Sequence, residues 1–444
     1  MRSVKSGRKW HVWLLCCTLI SLCLGLLTPF GTAQPIVVEH LLSTGSGAAI
    51  SQATEEIVEL FNASQDKIQV KVTYVGGNYL EQLILRVAAG DYPDVLTSSL
   101  LGEIGGLGLA LPLDDFIERD NLRKQFVPSA LEHSIWDGQL IQLPQYVQPV
   151  STYYNQTLFQ KAGVENPWEM SRKGVWNWET MAKAARAITK DANGDGVYEI
   201  WGMSVRAHEV HRVGWWLSQA GGYFFDHYIN PTESRMNTPE VALAYSFLHS
   251  LVHETNTMPL DAAITTRGMP YFSQHNVGMI FEGVWAIGYM RTQGMPDEEW
   301  DIATLPKGPV AEPTYIHIGG LQISRGSKNP EAAWEWIKFL MTNREAGIIA
   351  MKHTGRPSAY IPHLSLYTDA IVVQGRPANT QVLIDAMLAP SSMPVFPIVA
   401  NEAAFNRALG PEVQKYFRNQ QSLSQMQQNI HTQFEALLSE IRPK

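Results

Sequence analysis

The feature that most constrains the fold is an alternation of strand-like and helix-like runs that begins near residue 35. Three β-branched runs, PIVVEHLL, KIQVKVTYV and PDVLTSS, alternate with two runs in which apolar residues recur at helical spacing. Ile50, Ala53, Ile57 and Leu60 lie on one face of the first helical run, and Gly90 ends the second. This strand–helix–strand–helix–strand order predicts an α/β fold with a parallel sheet covered by helices.

A similar pattern starts again after residue 150. WNWETMAKAARAITK and PEVALAYSFLHSLVHET have helical spacing, and Pro239 falls in the first turn of the second run. WGMSVRA and VGMIFEGVWAI are typical of strands, and residues 357–444 are predicted to be mostly helical. A chain of 444 residues is too long for one ordinary domain, so we expect two.

The N-terminus has the parts of a secretory signal peptide. A basic stretch precedes an apolar run from Val12 to Leu27, and Gly31 and Ala33 occupy the −3 and −1 positions of a cut before Gln34. The apolar run is shorter than the roughly 20 residues that span a bilayer, which disfavours a membrane anchor. We predict that residues 1–33 are a signal peptide and that the protein is exported to the periplasm or the cell exterior.

All three cysteines, Cys16, Cys17 and Cys23, lie in this segment. A lipid anchor on Cys23 is disfavoured because Leu22, rather than a small residue, precedes it. The rest of the chain therefore has neither a thiol nucleophile nor a cysteine-based metal site. Without the four basic residues of the segment, 30 basic residues remain against 42 acidic ones. This balance disfavours binding to nucleic acid or to an anionic membrane.

Motifs for catalysis or for zinc binding are incomplete. His208, Glu209 and His211 form HEVH, which is one residue short of the zinc motif HExxH. The G-x-S-x-G pattern of serine hydrolases does not occur in the sequence. A glycosidase needs only two carboxylates across a cleft, so a secreted glycosidase stays open as an alternative, without a pair that can be named.

The stretch TKDANGDGVYEIWG opens like an EF-hand calcium loop, because Asp191, Asn193 and Asp195 precede Gly196. However, the twelfth loop position is Gly202 instead of the bidentate glutamate, and a strand is expected to follow rather than a second helix. We therefore predict that the stretch forms a turn. We also predict that the protein has no cofactor. A structural calcium ion at Asp191, Asn193 and Asp195 is the alternative.

Two further features point towards ligand binding. STGSGAA joins a strand to a helix, where free backbone N–H groups can bind an anion or a sugar hydroxyl. A plain strand-to-helix turn explains the same residues equally well. Trp216 and Trp285 offer flat faces on which a sugar ring can stack, and packing in the core is the alternative for each.

Taken in order, several longer stretches resemble the family 1 extracellular solute-binding proteins of ABC importers. The similarity extends from about residue 36 to the C-terminus, and the ordered set is more specific than any one stretch. The stretches are ELFNASQDKIQVKVTYVGGNYLEQLILRVAAGDYPDV, LPQYVQPVSTYYNQTLFQKAGVENPW, WNWETMAKAARAITKDANGDGVYEIWGM, YFSQHNVGMIFEGVW, WDIATLPKGP, GGLQISRGSKNPEAAWEWIKFLMTNREAG and TGRPSAY.

The resemblance implies a two-lobed α/β periplasmic-binding-protein fold, type II-like, in which each lobe is a β-sheet flanked by helices and several crossing segments form a hinge. It also implies a monomer that closes on a small-molecule carbohydrate and then docks on ABC permease subunits in the membrane. By analogy, lobe one holds residues 34–146 plus 307–352, lobe two holds 150–303 plus 357–444, and the crossings fall near 144–150, 304–306 and 354–357.

The resemblance further implies a set of ligand-binding residues. Tyr146, Trp216 and Trp285 would stack on sugar rings, whereas Gln148, Arg356 and the serine and threonine hydroxyls would bind sugar hydroxyls. Relatives often carry a carboxylate where Gln148 stands, so the sugar is left open and a more anionic ligand is compatible with this position. The full set is Ser43, Thr44, Ser46, Tyr79, Thr97, Ser98, Tyr146, Gln148, Trp216, Gly222, Gly283, Trp285, Gly319, Gly320 and Arg356.

A second ligand class fits the same scaffold. YVGGNYLEQL and YYNQTLF also resemble the corresponding stretches of proteins that bind glycerol 3-phosphate or a glycerophosphodiester. The helix N-terminus at residues 46–48, together with Arg356, could hold a phosphate group. A sugar or oligosaccharide is the favoured ligand, and the phosphorylated ligand is the alternative.

Overall fold

The structure is a computed structural model. The predicted signal peptide, with its three cysteines, lies outside the described residues. Within the described ranges, no helix is both long enough and apolar enough to cross a membrane. The described residues are 34–229, 231–372, 377–389, 392–394 and 397–441.

The strands form a nine-stranded sheet with one strand common to its two halves, and a separate two-stranded hairpin. The order along the main sheet is β2-β1-β3-β10-β6-β8-β7, with β11 beside β10 and β9 beside β6. The strands are β1 Ile36–Ser43, β2 Ile68–Val75, β3 Val95–Ser98, β4 Ile135–Trp136, β5 Gln139–Leu140, β6 Leu143–Asn155, β7 Trp201–Ser204, β8 Val277–Gly283, β9 Trp300–Ala303, β10 Thr314–Ile323 and β11 Ser392–Pro394.

The first half of the sheet only partly follows the predicted parallel arrangement. β1 pairs in parallel with both β2 and β3, as the alternating pattern predicts. The sheet as a whole is mixed, because β10 runs antiparallel to β3 and to the first part of β6. The local alternation of strands and helices does not predict this antiparallel pairing, because β10 returns to the sheet more than 200 residues after β3.

Strand β6 continues into the second half of the sheet. Residues 143–149 pair with β10, residues 150–154 with β8 and residues 152–155 with β9. β7 then pairs in parallel with β8. The predicted strand VGMIFEGVWAI ends earlier than expected, because the chain leaves β8 at Gly283 and a helix begins at Trp285.

The helices begin and end largely where the sequence signals fall. Asn78 caps one helix by accepting hydrogen bonds from the backbone N–H groups of Leu80 and Glu81, and that helix ends before Gly90. The helices are Ala48–Ser64, Tyr79–Ala88, Leu101–Gly106, Asp114–Arg119, Pro128–Glu132, Gln156–Ala162, Pro167–Arg172, Trp178–Ile188, Val210–Gln219, Pro239–His253, Leu260–Ile264, Gly268–Ser273, Trp285–Thr292, Pro330–Thr342, Arg344–Thr354, Leu364–Ile371, Gln381–Leu388, Glu402–Phe417 and Leu423–Ile441.

The two halves of the sheet have separate hydrophobic cores. One core packs Trp334 and Trp336 against the strands of the first half. The other is centred on Trp216 and Phe281 and includes the C-terminal helices. The helix Gln381–Leu388 lies against both β6 and β10, which places it beside the strand that the halves share. Two halves with their own hydrophobic clusters, joined through a shared strand, make the protein a two-lobed α/β structure.

Close packing of β7 on the helix Trp178–Ile188 provides a stability test. A Cβ atom added at Gly202 would lie 2.1 Å from the carbonyl oxygen of Ala185, so we expect Gly202→Ala to destabilise the fold by about 1–3 kcal/mol. Gly288 is the matched control, because it lies within a helix and an added Cβ meets no atom within 4 Å. Gly288→Ala should be neutral or stabilising. Urea unfolding of both variants measures this, and equal midpoints would contradict the packing described.

Candidate functional site

A cleft of about 550 Å³ lies between the two lobes. Ser43 stands at the end of β1, and Thr97 and Ser98 stand at the end of β3. On the other side, Arg206 follows β7 and Trp285 follows β8. All five residues line the cleft, so the carboxyl ends of strands from both lobes face one space. This edge is where open α/β sheets bind ligands.

Most of the predicted contact residues meet in this cleft. Strand β6 contributes Tyr146 and Gln148, and Arg356 follows the helix Arg344–Thr354. The two glycines come from β10, where the pairing register with β6 shifts between Gly319 and Gly320. The ten predicted residues that line the cleft are Ser43, Tyr79, Thr97, Ser98, Tyr146, Gln148, Trp285, Gly319, Gly320 and Arg356.

Trp285 is fixed at the cleft wall by three neighbours. Its indole Nε1 donates a hydrogen bond to Glu282 at 3.0 Å, and the guanidinium of Arg212 lies 4.7 Å from the ring centroid. The ring also meets His317 edge-on, with the centroids 6.0 Å apart. An added Cβ at Gly283 would lie 2.1 Å from the ring, so glycine is needed there to make room for the tryptophan. The indole is thus held rigidly with part of its surface open to the cleft.

A buried cluster of charges supports that wall. Glu282 is 4% exposed and forms ion pairs with Arg206 and with Arg212, the latter at 3.2 Å. Arg206 also pairs with Glu209 at 3.2 Å. Breaking a buried pair leaves an uncompensated charge, so these four side chains hold one another in place.

On the floor of the cleft, β6 and β10 place Gln148 opposite His317. The side-chain Nε2 of Gln148 lies 3.0 Å from Nδ1 of His317. Burial, together with the nearby His211, Arg212 and Arg356, lowers the pKa of His317 to about 3. The imidazole is therefore neutral, and with Gln148 donating to Nδ1 its Nε2 carries the proton.

Tyr146 and Arg356 form the third side. The guanidinium of Arg356 lies over the Tyr146 ring, 5.6 Å from its centroid. Burial lowers the pKa of Arg356 and raises the pKa of the Tyr146 hydroxyl. Tyr146 is only 5% exposed, so its ring supports the arginine more than it offers a free face for stacking.

Trp216 does not fit its predicted stacking role. Its ring is fully buried and packs against Trp178, Trp215 and Phe281, with centroids 5.3, 4.0 and 5.4 Å away. Trp215 and Trp216, in the helix Val210–Gln219, both pack in the core. Core packing was the alternative interpretation for Trp216. A ring without exposed surface cannot stack on a ligand.

Three other predicted residues also lie off the cleft lining. An added Cβ at Gly222 would lie 2.8 Å from the backbone nitrogen of Val241, so this glycine serves helix packing. Gly283 acts through Trp285, as described above. Thr44 is exposed in the turn Thr44–Ser46, next to the lining residue Gly45. The side chain of Ser46 lies outside the description.

The acidic turn is a tight loop away from the cleft. The carboxylate of Asp191 accepts hydrogen bonds from the backbone N–H groups of Gly194 and Gly196. Ligand oxygens of Asp191, Asp195 and Glu199 lie within 4.8 Å of one another, whereas the Asn193 amide donates to Asp195. The turn prediction fits this loop, and a structural calcium ion stays the untested alternative.

In HEVH, His208 and His211 contact different partners, Ala263 and Glu402.

The lobes also touch at one end of the cleft. An added Cβ at Gly102 would lie 2.0 Å from the Val399 carbonyl oxygen, so a helix of the first lobe packs directly on the segment before Glu402. Glu103 accepts a hydrogen bond from the Glu402 backbone N–H at 3.3 Å. Burial, and the neighbouring Glu402 carboxylate, raise the pKa of Glu103 to about 7.

Residues 44–347 match the family described as bacterial extracellular solute-binding protein. The chain belongs to this family. It is 25% identical to a putative binding protein of Brucella abortus (strain 2308) over 396 residues, which cover 86% of this chain and 89% of the relative.

Two further comparisons agree with the fold. The chain is 25% identical to a maltotriose-binding protein of Pyrococcus abyssi over 298 residues, 64% of this chain and 57% of that one. Its structure is similar to that of an ABC substrate-binding protein of Listeria monocytogenes in complex with cycloalternan. There the TM-score is 0.75 at 21% identity, with 91% of this chain and 99% of that one covered.

Several cleft residues of this solute-binding protein were missed by the sequence reasoning. Arg206 lies near the carboxyl end of the predicted strand WGMSVRA and His211 follows that strand, which was a usable signal. Arg212, in the following helix, could have been found in the same way. His317 could not be predicted from the sequence, because only its register opposite Gln148 brings it to the cleft.

The buried ion pairs of Glu282 lead to a second stability prediction. Glu282→Gln removes the charge that balances Arg206 and Arg212, so we expect a loss of about 3–5 kcal/mol in unfolding free energy. Glu179 pairs with Lys183 at the surface, with 74% of its side chain exposed, and Glu179→Gln should leave the unfolding midpoint unchanged. Chemical unfolding of both variants tests this. A Glu282→Gln variant as stable as the control would show that the buried pairs do not support the wall.

Proposed function

We propose that this solute-binding protein captures a sugar or oligosaccharide between its lobes and delivers it to the permease of an ABC importer. The observation that carries the proposal is the partly exposed indole of Trp285 in a cleft whose other lining residues include many hydrogen-bonding groups, among them hydroxyls, amides and guanidinium groups. A flat aromatic face with polar groups around it suits a sugar ring, whose faces are apolar and whose edge carries hydroxyls.

The relatives support this ligand class. The Pyrococcus abyssi protein is named for maltotriose, and the Listeria monocytogenes structure holds cycloalternan. A cleft of about 550 Å³ falls in the range of ordinary small-molecule sites. A relative named for maltotriose makes an oligosaccharide a reasonable occupant.

Capture would work as a shift of population. Ser43 and Thr97 belong to one lobe and Trp285 to the other, so a ligand that touches all three is bound best when the lobes are closed. The hinge would lie at the crossings near 144–150, 304–306 and 354–357. Lobe one would then comprise 34–146 plus 307–352, and lobe two 150–303 plus 357–444.

The remaining assignments follow from the role. The protein would be exported after cleavage near Ala33–Gln34, act as a monomer, and meet the permease subunits in its closed form. Hydrolysis of the ligand is disfavoured, because a glycosidase needs two carboxylates across the scissile bond. Among the described residues that line the cleft, none is an aspartate or a glutamate.

Thermal unfolding against a panel of mono- and oligosaccharides tests the function. A ligand present at 100 times its Kd should stabilise the protein by about 2.7 kcal/mol. Trp285→Ala should weaken that ligand about tenfold or more, because the stacking face is lost. Trp201 is a matched control, since it is a partly exposed tryptophan outside the cleft lining.

Trp201→Ala should leave the affinity unchanged. Stabilisation by glycerol 3-phosphate or a glycerophosphodiester, with no response to any sugar, would replace the proposal with the alternative ligand class.

A further inference from the structure

The charged residues that line the cleft are all of one sign. They are Arg206, Arg212 and Arg356, and the described lining residues include no acidic side chain. The chain as a whole carries a formal net charge of −8, so this is a local reversal of its overall charge. A cleft lined only by cations attracts anions.

Two of the three arginines are balanced from behind the wall. Arg206 and Arg212 both pair with Glu282, and Arg206 also pairs with Glu209. Two guanidinium groups thus face two carboxylates. The net charge of that cluster is close to zero, and its role is to hold Trp285 in place.

Arg356 is different. Among the described residues, none offers its guanidinium an acidic partner or a side-chain hydrogen bond, and the contact that remains is with the face of Tyr146. The side chain is half-buried, and burial lowers the pKa of its guanidinium. A partly desolvated cation without a counter-charge is costly, and an anionic ligand would relieve that cost.

The surroundings of Arg356 supply further donors. It lies close enough to His317 to depress the pKa of that imidazole, and Arg212 does so from the other lobe. With Gln148 donating to Nδ1, the Nε2–H of His317 is a donor as well. Nitrogen donors therefore lie close together at the floor of the cleft.

We propose that the ligand is an acidic saccharide whose oxyanion, the carboxylate of a uronic acid or the phosphate of a sugar phosphate, binds Arg356 beside His317 on the floor of the cleft. This rests on the proposed sugar-binding function and narrows it to a charge class. Arg356 supplies the balancing charge, because its planar guanidinium can donate two parallel hydrogen bonds to such a group. Trp285 would then stack on the saccharide ring.

Calorimetric titration with matched pairs tests this. The probes are galacturonic acid with galactose, digalacturonic acid with galactobiose, and glucose 6-phosphate with glucose, each at low and high salt. We expect the acidic member of at least one pair to bind ten- to a hundredfold more tightly than its neutral partner, as for a hydrogen-bonded charge. The pair that responds identifies carboxylate or phosphate as the group bound.

Arg356→Gln should remove the preference for the acidic member. Arg325 is the matched control, because it is an exposed arginine outside the cleft lining, and Arg325→Gln should keep the preference. Circular dichroism checks that both variants fold. If Arg356→Gln does not fold, the acid-to-neutral ratio of the unmodified protein and its decrease at high salt still decide the matter.

The outcomes separate the two proposals. Neutral members that bind as tightly as their acidic partners, or more tightly, would overturn the acidic ligand and leave the sugar-binding function intact. Acidic preference that survives Arg356→Gln would overturn the role of Arg356. Binding of glycerol 3-phosphate with no binding of any saccharide in the panel would overturn both proposals.

Discussion

Strand β6 is the element on which the rest of the structure depends. All thirteen of its residues are buried, and it exchanges its antiparallel partner from β10 to β8 and β9 part-way along. A continuous strand that pairs in both halves of the sheet joins the lobes without a flexible linker. In the proposed mechanism, the hinge would lie where the partner changes, near residues 149–150, and at the neighbouring crossings.

The same strand explains why one cleft can hold a ligand by two faces. Both lobes direct the carboxyl ends of their strands towards β6, so Thr97 and Trp285 face one space although 188 positions separate them in the chain. One wall is held by the Glu282 ion pairs, which fix Trp285 before any ligand arrives. A rigid wall reduces the ordering that binding requires, and this favours affinity.

The sequence predicted the elements better than it predicted what the side chains contact. Strands and helices followed from local periodicity. Of the fifteen ligand-binding residues that the family resemblance implies, ten line the cleft. Trp216 could not be distinguished from Trp285 in this way, because exposure depends on what packs against each ring. The antiparallel entry of β10 and the position of His317 depend on long-range register, which local sequence does not encode. That Arg356 has no acidic partner among the described residues could be seen only from the three-dimensional arrangement of its neighbours.

The most direct test of the two-lobed capture mechanism is the distance between the lobes with and without ligand. The chain from Gln34 onward has no cysteine, so spin labels can be placed by Glu81→Cys and Arg267→Cys, two exposed positions near opposite sides of the cleft. Double electron–electron resonance measures that distance, and a saturating saccharide from the panels should shorten it. The distance between labels at Glu81→Cys and Leu107→Cys, within one lobe, should stay constant. An unchanged distance between the lobes, with binding verified by calorimetry, would contradict closure on the ligand.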